Sequence, residues 1–222
     1  MTASDETAGF SILRQRMVDS QLRARGIADE RVLNAMARVP RHEFAPEPYR
    51  GQAYEDHPLP VAQGQTISQP YIVAIMLEAL ALRPADRVLE VGTGSGYVTA
   101  LLVELAAQVV SMERHAALAD PARELLARMG YTNMGVIVGD GAQGFREHAP
   151  YDAIIVSAAA PEIPAALPAQ LTEGGRMIIP VGPSDSQQLQ LIRIENGQPR
   201  ITLRELCRFV PLISDEPFSV SS

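Results

Sequence analysis

Apolar positions change their spacing several times along the chain, and each change marks an element. Phe10, Leu13 and Met17 recur at helical spacing, and so do Val32, Leu33, Met36 and Val39. Two helices are therefore predicted over residues 10–39, separated by Gly26, with Asp29 suited to cap the second and Pro40 to end it. From Arg41 to Pro70 the periodicity is lost. Pro46, Pro48, Pro58, Pro60 and Pro70 deny amide donors to a regular helix, and little alternation supports a strand. So long an irregular stretch in a small protein is expected to be functional, an ordered lid or site wall.

Beyond Pro70 helices and strands alternate. A helix beginning at Pro70 carries Ile72, Ile75, Met76, Ala79 and Leu80 on one face. Then follow strand RVLEV, helix 98–107, strand QVVSME, helix 116–129, strands MGVIV and DAIIV, a short helix near 165–171 and strand RMIIP. Short apolar strands alternating with helices predict a parallel sheet covered on both faces. The chain then reads QLQLIRI, Asn196-Gly197, ITLRELCRFV, a hairpin signal that ends the sheet in antiparallel strands. The expected fold is α/β, doubly wound and mostly parallel. One domain spans residues 1–222, with helices and lid over 1–70 and a ligand-binding core over 71–222.

Composition narrows the function. The net charge of −7, with no run of Lys or Arg, argues against nucleic acid as the main partner. Cys207 is the only cysteine, so neither an intrachain disulfide nor a cysteine-based metal site can form, and a buried structural thiol is expected. His42 and His57 lack partners at ligand spacing, so no metal is expected and both read as structural or lid residues. MTASDETAGF does not read as a secretory signal, and no apolar run reaches the roughly 18 residues of a membrane span. A cytoplasmic protein without a membrane partner is expected; the sequence sets no oligomeric state.

The candidate chemistry gathers where RVLEV runs into Gly92-Thr93-Gly94-Ser95-Gly96 and then a helix. Glycines there let the backbone turn sharply and approach a ligand, at the strand end where open α/β sheets bind. A dinucleotide fingerprint needs Gly or Ala where this chain has Tyr97, and no Gly-Lys-Ser/Thr follows, so a pyrophosphate loop and a P-loop are both disfavoured. Alone, such glycines can mark a tight turn only. Glu113 ends the next strand, where a carboxylate can accept from both ribose hydroxyls. Asp140, in VGDG, follows the third strand and can accept from an adenine amine, with Gly141 allowing close approach. Glu113 could equally be a solvated first-turn charge and Asp140 a turn former. Together, at successive strand ends, they point to an adenosine-containing ligand with a cationic sulfonium.

The stretches VPRHEFAP, YEDHPLPVAQGQTISQPYIVA, VLEVGTGSGYVTALL, VGDGAQG, PYDAIIVSAAAPEIPAALPAQLTEGGRMIIPVG and RFVPL, in this order, resemble the protein-L-isoaspartate (D-aspartate) O-methyltransferase family over about residues 15–213. GQTISQP and RFVPL are the more specific; the glycine loop is shared by many methyltransferases. Ala142 departs from the pattern, standing where many bacterial members carry Trp, and puts packing at the cofactor edge in question. The resemblance implies transfer of a methyl group from S-adenosyl-L-methionine to the α-carboxylate of an L-isoaspartyl residue in damaged proteins or peptides, leaving S-adenosyl-L-homocysteine. It implies Ser68 as the acceptor-orienting catalytic residue, Thr66 and Ile67 closing over the cofactor, and Phe209, Val210, Pro211 and Leu212 bordering the acceptor groove. For Ser68 helix capping is the rival role. A methyltransferase acting on a small molecule or one dedicated peptide, and a cofactor-binding protein without catalysis, are the rival functions. A nicotinamide-dependent oxidoreductase is disfavoured by Tyr97.

Overall fold

The computed structural model describes residues 3–216. The sequence reading of the N-terminus falls in part on residues 1 and 2, outside that range. The first helix, α1 (Ala3–Met17), runs through a π-helical turn, Val18–Leu22, into a 3-10 turn, Arg23–Arg25. Helix α2 (Glu30–Arg38) starts as expected: the Asp29 carboxylate accepts from the Arg31 amide at 2.8 Å. The proline-rich stretch forms 3-10 turns and one small antiparallel pair, β1 (Leu59–Pro60) with β2 (Thr66–Ile67). Its inner anchor is Arg41, which is 0% exposed; Nε donates to Ala53 O at 2.8 Å and Nη2 to Ser68 O at 2.9 Å.

The core is a seven-stranded sheet. In chain order its elements are α3 (Pro70–Leu80), β3 (Arg87–Val91), α4 (Tyr97–Leu105), β4 (Gln108–Glu113), α5 (Ala116–Arg128), β5 (Met134–Val138), β6 (Tyr151–Val156), β7 (Leu171–Val181), β8 (Gln187–Glu195) and β9 (Gln198–Cys207). Across the sheet the order is β5-β4-β3-β6-β7-β8-β9, parallel as far as β7 and antiparallel from there. The β8–β9 turn is the Asn196-Gly197 pair, with φ of 55° and 71°, the conformation a two-residue hairpin requires. From β3 the chain winds to β4 and β5 on one side and returns to β6 on the other, so the strand order reverses beside β3. Such a switch point opens a crevice at the carboxyl ends of the strands.

One sheet face packs Val88, Val109, Ala153, Ile155 and Ile178 against the helices. The other carries Leu89, Val91, Val110, Ile154, Val156 and Met177, closed by Phe145, Ile163 and Leu167 from the β5–β6 and β6–β7 crossovers. Helices were expected on this face too, but the segment near 165–171 holds only the 3-10 turn Pro168–Gln170, and Leu171 already belongs to β7. Pro164 and Pro168 lack the amides a helix there would need. Strand β9 is also shorter than its alternation suggests: it ends at Cys207, and Arg208–Val210 leave the sheet toward the crevice. Cys207 is half-buried, not fully buried as expected, and burial pushes its thiol up to about 11, which keeps it protonated and unreactive.

A buried ion pair fixes the helical layer to the sheet. Arg176 on β7 meets Asp86 at 2.5 Å, with 5% and 7% of their side chains exposed, and donates also to Leu80 O at 2.8 Å. Charges this buried persist only when paired and hydrogen-bonded, so the contact ties the end of α3 to β7. Among the described residues no helix is long and apolar enough to cross a membrane.

Candidate active site

The crevice lies above β3, β4 and β6 and is open to solvent, its roughly 800 Å³ of empty space counting the mouth as well as the sheltered part. Its floor is the glycine loop. Gly92 and Gly94 take φ of 97° and 54°, a left-handed region that side chains avoid, and nothing lies within 4 Å of where a Gly94 Cβ would stand. The loop is held from both flanking strands: the Gly92 amide donates to Met112 O at 2.8 Å, and the Ser157 amide to Val91 O at 2.8 Å.

Glu113 holds the loop's other side. It is 6% exposed; Oε2 accepts from the Gly94 amide and Oε1 from the His115 amide, each at 2.9 Å. A carboxylate offers about four acceptor positions. Two are spent on backbone and two remain, matching the two hydroxyls of a ribose. That match, with the open cradle at Gly94, fits an adenosyl ligand.

Beneath the loop lies a second acid. Glu90, on β3 and wholly buried, accepts from the Thr99 hydroxyl at 2.5 Å and the Ser111 hydroxyl at 2.6 Å, and Ser111 meets the Thr93 hydroxyl at 2.5 Å. Burial pushes the Glu90 carboxyl up to about 8, against the opposing pull of its two hydroxyl partners. It therefore carries its proton at neutral pH and braces the loop without adding a second charge beside Glu113.

The crevice brings together most of the residues expected from sequence: Thr66, Ile67, Ser68, Gly92, Thr93, Gly94, Ser95, Glu113, Gly141, Val210, Pro211 and Leu212 all line it. Three stand apart. Gly96 faces α5, where an added Cβ would meet Leu126 Cδ1 at 3.3 Å, so it serves helix packing. Phe209 lines a second cleft next to the first. Asp140 does not line the crevice; it directly precedes Gly141, which does, and caps the turn there, its Oδ1 accepting the Ala142 amide at 3.0 Å and its Oδ2 taken by Ser214 and Asp215. Ala142 itself is buried, so the small residue is packed over and leaves no exposed gap.

Two lining groups had no motif to announce them. Ser157 follows β6 across the switch point, and its place after an apolar strand was its only signal. Arg114 lines the crevice too, directly after Glu113, and is paired with Asp215. Gly141 sits so close to β3 that a Cβ would fall 2.4 Å from Val91 Cγ1. Val91 is a stiff, buried strand residue, so Gly141→Ala is expected to cost about 1–3 kcal/mol, read as a lowered denaturation midpoint.

Thr66, Ser68, Ser157 and Val210 line both clefts, so Ser68 stands in the wall between them. The cap position of α3 is Gln69, and no side chain caps that helix. The Ser68 hydroxyl is therefore not spent on capping, while its carbonyl is held by buried Arg41. The two histidines take structural places. His42 stacks on Phe10 with ring centroids 4.0 Å apart and meets the Tyr54 hydroxyl at 2.7 Å; His57 pairs with Glu55 at 3.2 Å on the surface.

Fold, switch point and loop together define a Rossmann-like methyltransferase. A family model described as protein-L-isoaspartate (D-aspartate) O-methyltransferase matches residues 13–217, and the chain belongs to that family. It is 57% identical over 219 residues to the protein-L-isoaspartate O-methyltransferase of Koribacter versatilis, covering 99% of each chain. To the enzyme of the same name from Methanoculleus marisnigri it is 59% identical over 201 residues, covering 90% of this chain and 91% of that one. Among solved structures, a Plasmodium falciparum protein described as a protein-L-isoaspartate O-methyltransferase in complex with S-adenosyl-L-homocysteine superposes with a TM-score of 0.79. The two are 30% identical, over 90% of this chain and 98% of that one.

Proposed function

We propose that this protein methylates the free α-carboxylate of L-isoaspartyl residues in damaged proteins or peptides, with S-adenosyl-L-methionine as donor. The observation that carries the reading is the position of Ser68 in the wall shared by the crevice of the glycine loop and Glu113 and a second cleft. Bound S-adenosyl-L-methionine supplies a methyl group on a cationic sulfonium. The chain's own part is to hold and align. Glu113 takes the ribose hydroxyls, Asp140 the adenine amine, and the glycine loop allows close approach.

The acceptor asks little acid–base chemistry of the protein, because a carboxyl with a pKa of about 3.5 to 4 is already ionised at neutral pH. No general base is needed. What the site must provide is orientation and exclusion of water. The Ser68 hydroxyl donates to one acceptor oxygen and fixes the direction of the other. Ile67 and Leu212 supply apolar walls, and a drier site strengthens the attraction between carboxylate and sulfonium. Arg208 lines the second cleft and suits the negative charge of the acceptor; Arg25, also there, is paired with Asp56, and Glu205 shares the lining. A cytosolic setting belongs to the proposal and rests on the single cysteine, which leaves no intrachain disulfide for an oxidising compartment to form.

The test is a pair of peptides that differ only in linkage, incubated with labelled donor. Label is expected in the isoaspartyl peptide and not in its normal aspartyl counterpart. Equal labelling would remove the repair reading and leave a carboxyl methyltransferase of broader taste. Label in neither would favour a small-molecule acceptor.

A further inference from the structure

Asp140 directly precedes Gly141, which lines the crevice, and its carboxylate is almost filled by the protein itself. Oδ1 accepts the Ala142 amide at 3.0 Å. Oδ2 accepts two donors from more than seventy residues away in sequence, the Ser214 hydroxyl at 2.7 Å and the Asp215 amide at 2.9 Å. Three of about four acceptor positions are occupied, and the one remaining is on Oδ1.

The segment that delivers Ser214 and Asp215 is moored upstream. The Ala159 amide donates to Val210 O at 2.8 Å, and the Leu212 amide to Ala159 O at 2.7 Å. Between this mooring and Asp140, Leu212 and Ile213 line the crevice. The segment is thus a strap across one wall of the nucleoside site, and Asp140 is where its far end is fastened. The Asp215 side chain also meets Arg114 at 2.5 Å, but it is 70% exposed, so that ion pair adds little. The hydroxyl and the amide carry the fastening. Burial pushes the Asp140 carboxyl up, but Ser214, the two amides and Arg114 more than offset it, so its pKa lies below the ordinary aspartate value and the charged form is the one held.

We infer that Ser214 and Asp215 are positioning residues of the nucleoside site, filling Oδ2 of Asp140 so that a single fixed acceptor on Oδ1 is left for a 6-amino purine. The inference rests on reading the crevice as the S-adenosyl site. A carboxylate held in this way resists turning aside and resists protonation. A 6-oxo purine, which brings a lone pair where the 6-amino group brings a hydrogen, meets an unrelieved negative charge and is rejected. Once unfastened, the carboxylate can rotate toward water, and both the grip on the amine and the rejection of the oxo group weaken.

The experiment compares binding of S-adenosyl-L-homocysteine with that of its 6-oxo analogue, S-inosyl-L-homocysteine, by calorimetry on the full chain. Ser214→Ala deletes the hydroxyl, Asp215→Pro deletes the amide donor, and Ser214→Thr keeps the hydroxyl. For the first two, affinity for the adenosyl compound and the adenosyl-to-inosyl ratio are each expected to fall about tenfold, the scale of one lost hydrogen bond to a charged group. The Thr variant is expected to restore both. The donor KM should rise in parallel, with kcat and the peptide KM within about twofold of the starting protein, a split that general damage to the fold would not produce.

Adenosyl affinity and ratio within about twofold of the starting protein in both deletion variants would overturn the inference. So would equal binding of the two nucleosides by the unaltered chain. Failure of the unaltered chain to bind the adenosyl compound at all would remove the cofactor reading, and this inference with it.

Discussion

Glu113→Ala is expected to weaken S-adenosyl-L-homocysteine binding by about a hundredfold in calorimetry, with turnover at saturating donor much less affected. The carboxylate is 6% exposed, and half its acceptor capacity is spent on the Gly94 and His115 amides. The remaining half faces the crevice, so alanine removes two charge-assisted acceptors for the ribose and leaves two half-buried amides without that partner. Hydrogen bonds to charged groups contribute roughly 1.5–3 kcal/mol each. They are not additive here, because the loop relaxes once Glu113 lets it go, and a total near 3 kcal/mol corresponds to about two decades in Kd. Glu113→Gln separates the parts. An amide can still accept on its oxygen, but its NH2 cannot accept from the backbone or from a ribose, so an intermediate loss is expected. Affinity within about threefold of the starting protein in the alanine variant would place the ribose elsewhere.

The frame of the site was legible because its signals are local. Each of β3, β4 and β6 is a short apolar run, and the residues that matter follow at its end: Gly92 after Val91, Glu113 closing β4. The Asn196-Gly197 turn was legible for the same reason, since two adjacent residues fix the hairpin. What the sequence hides is held by long-range contact. Arg41 reads as a surface charge in VPRHEF, yet it is wholly buried and bonds both Ala53 and Ser68. Glu90 looks like an intrusion in an apolar strand, and the hydroxyls that bond its Oε2 come from α4 and β4, while Oε1 is buried without a hydrogen-bond partner. Asp140 reads from the sequence as either an adenine acceptor or a turn former; it does cap the turn at Gly141–Gln143, and nothing near it in the chain announces that Ser214 and Asp215 fill its other oxygen. The missing helix near 165–171 has another cause. Its apolar spacing is helical, and two prolines withdraw the amides that the spacing assumes.

Ser68→Ala is expected to lower turnover on an isoaspartyl peptide by about ten- to a thousandfold, the range for loss of one preorganised donor at a reacting group. Donor affinity should change less than about threefold. The two readouts are separable because of how Ser68 is held. Its carbonyl takes the Arg41 Nη2 proton at 2.9 Å, the neighbouring Gln69 is the cap position of α3, and β1–β2 pairing fixes Thr66 and Ile67 just before it. None of these contacts uses the hydroxyl, so alanine leaves backbone, hairpin and helix start in place and deletes only the hydroxyl of a residue that lines both clefts. A wide range is appropriate, since the cost depends on how far the acceptor carboxylate swings once unrestrained, and alignment is most of what this reaction needs. Ser68→Thr, which retains an oxygen donor with one added methyl, is expected to recover part of the rate. Should Ser68→Ala instead lose donor binding while bound donor still reacts at the normal rate, the hydroxyl belongs to the nucleoside site, and alignment of the acceptor must come from another group in the shared wall, with Ser157 the first to replace.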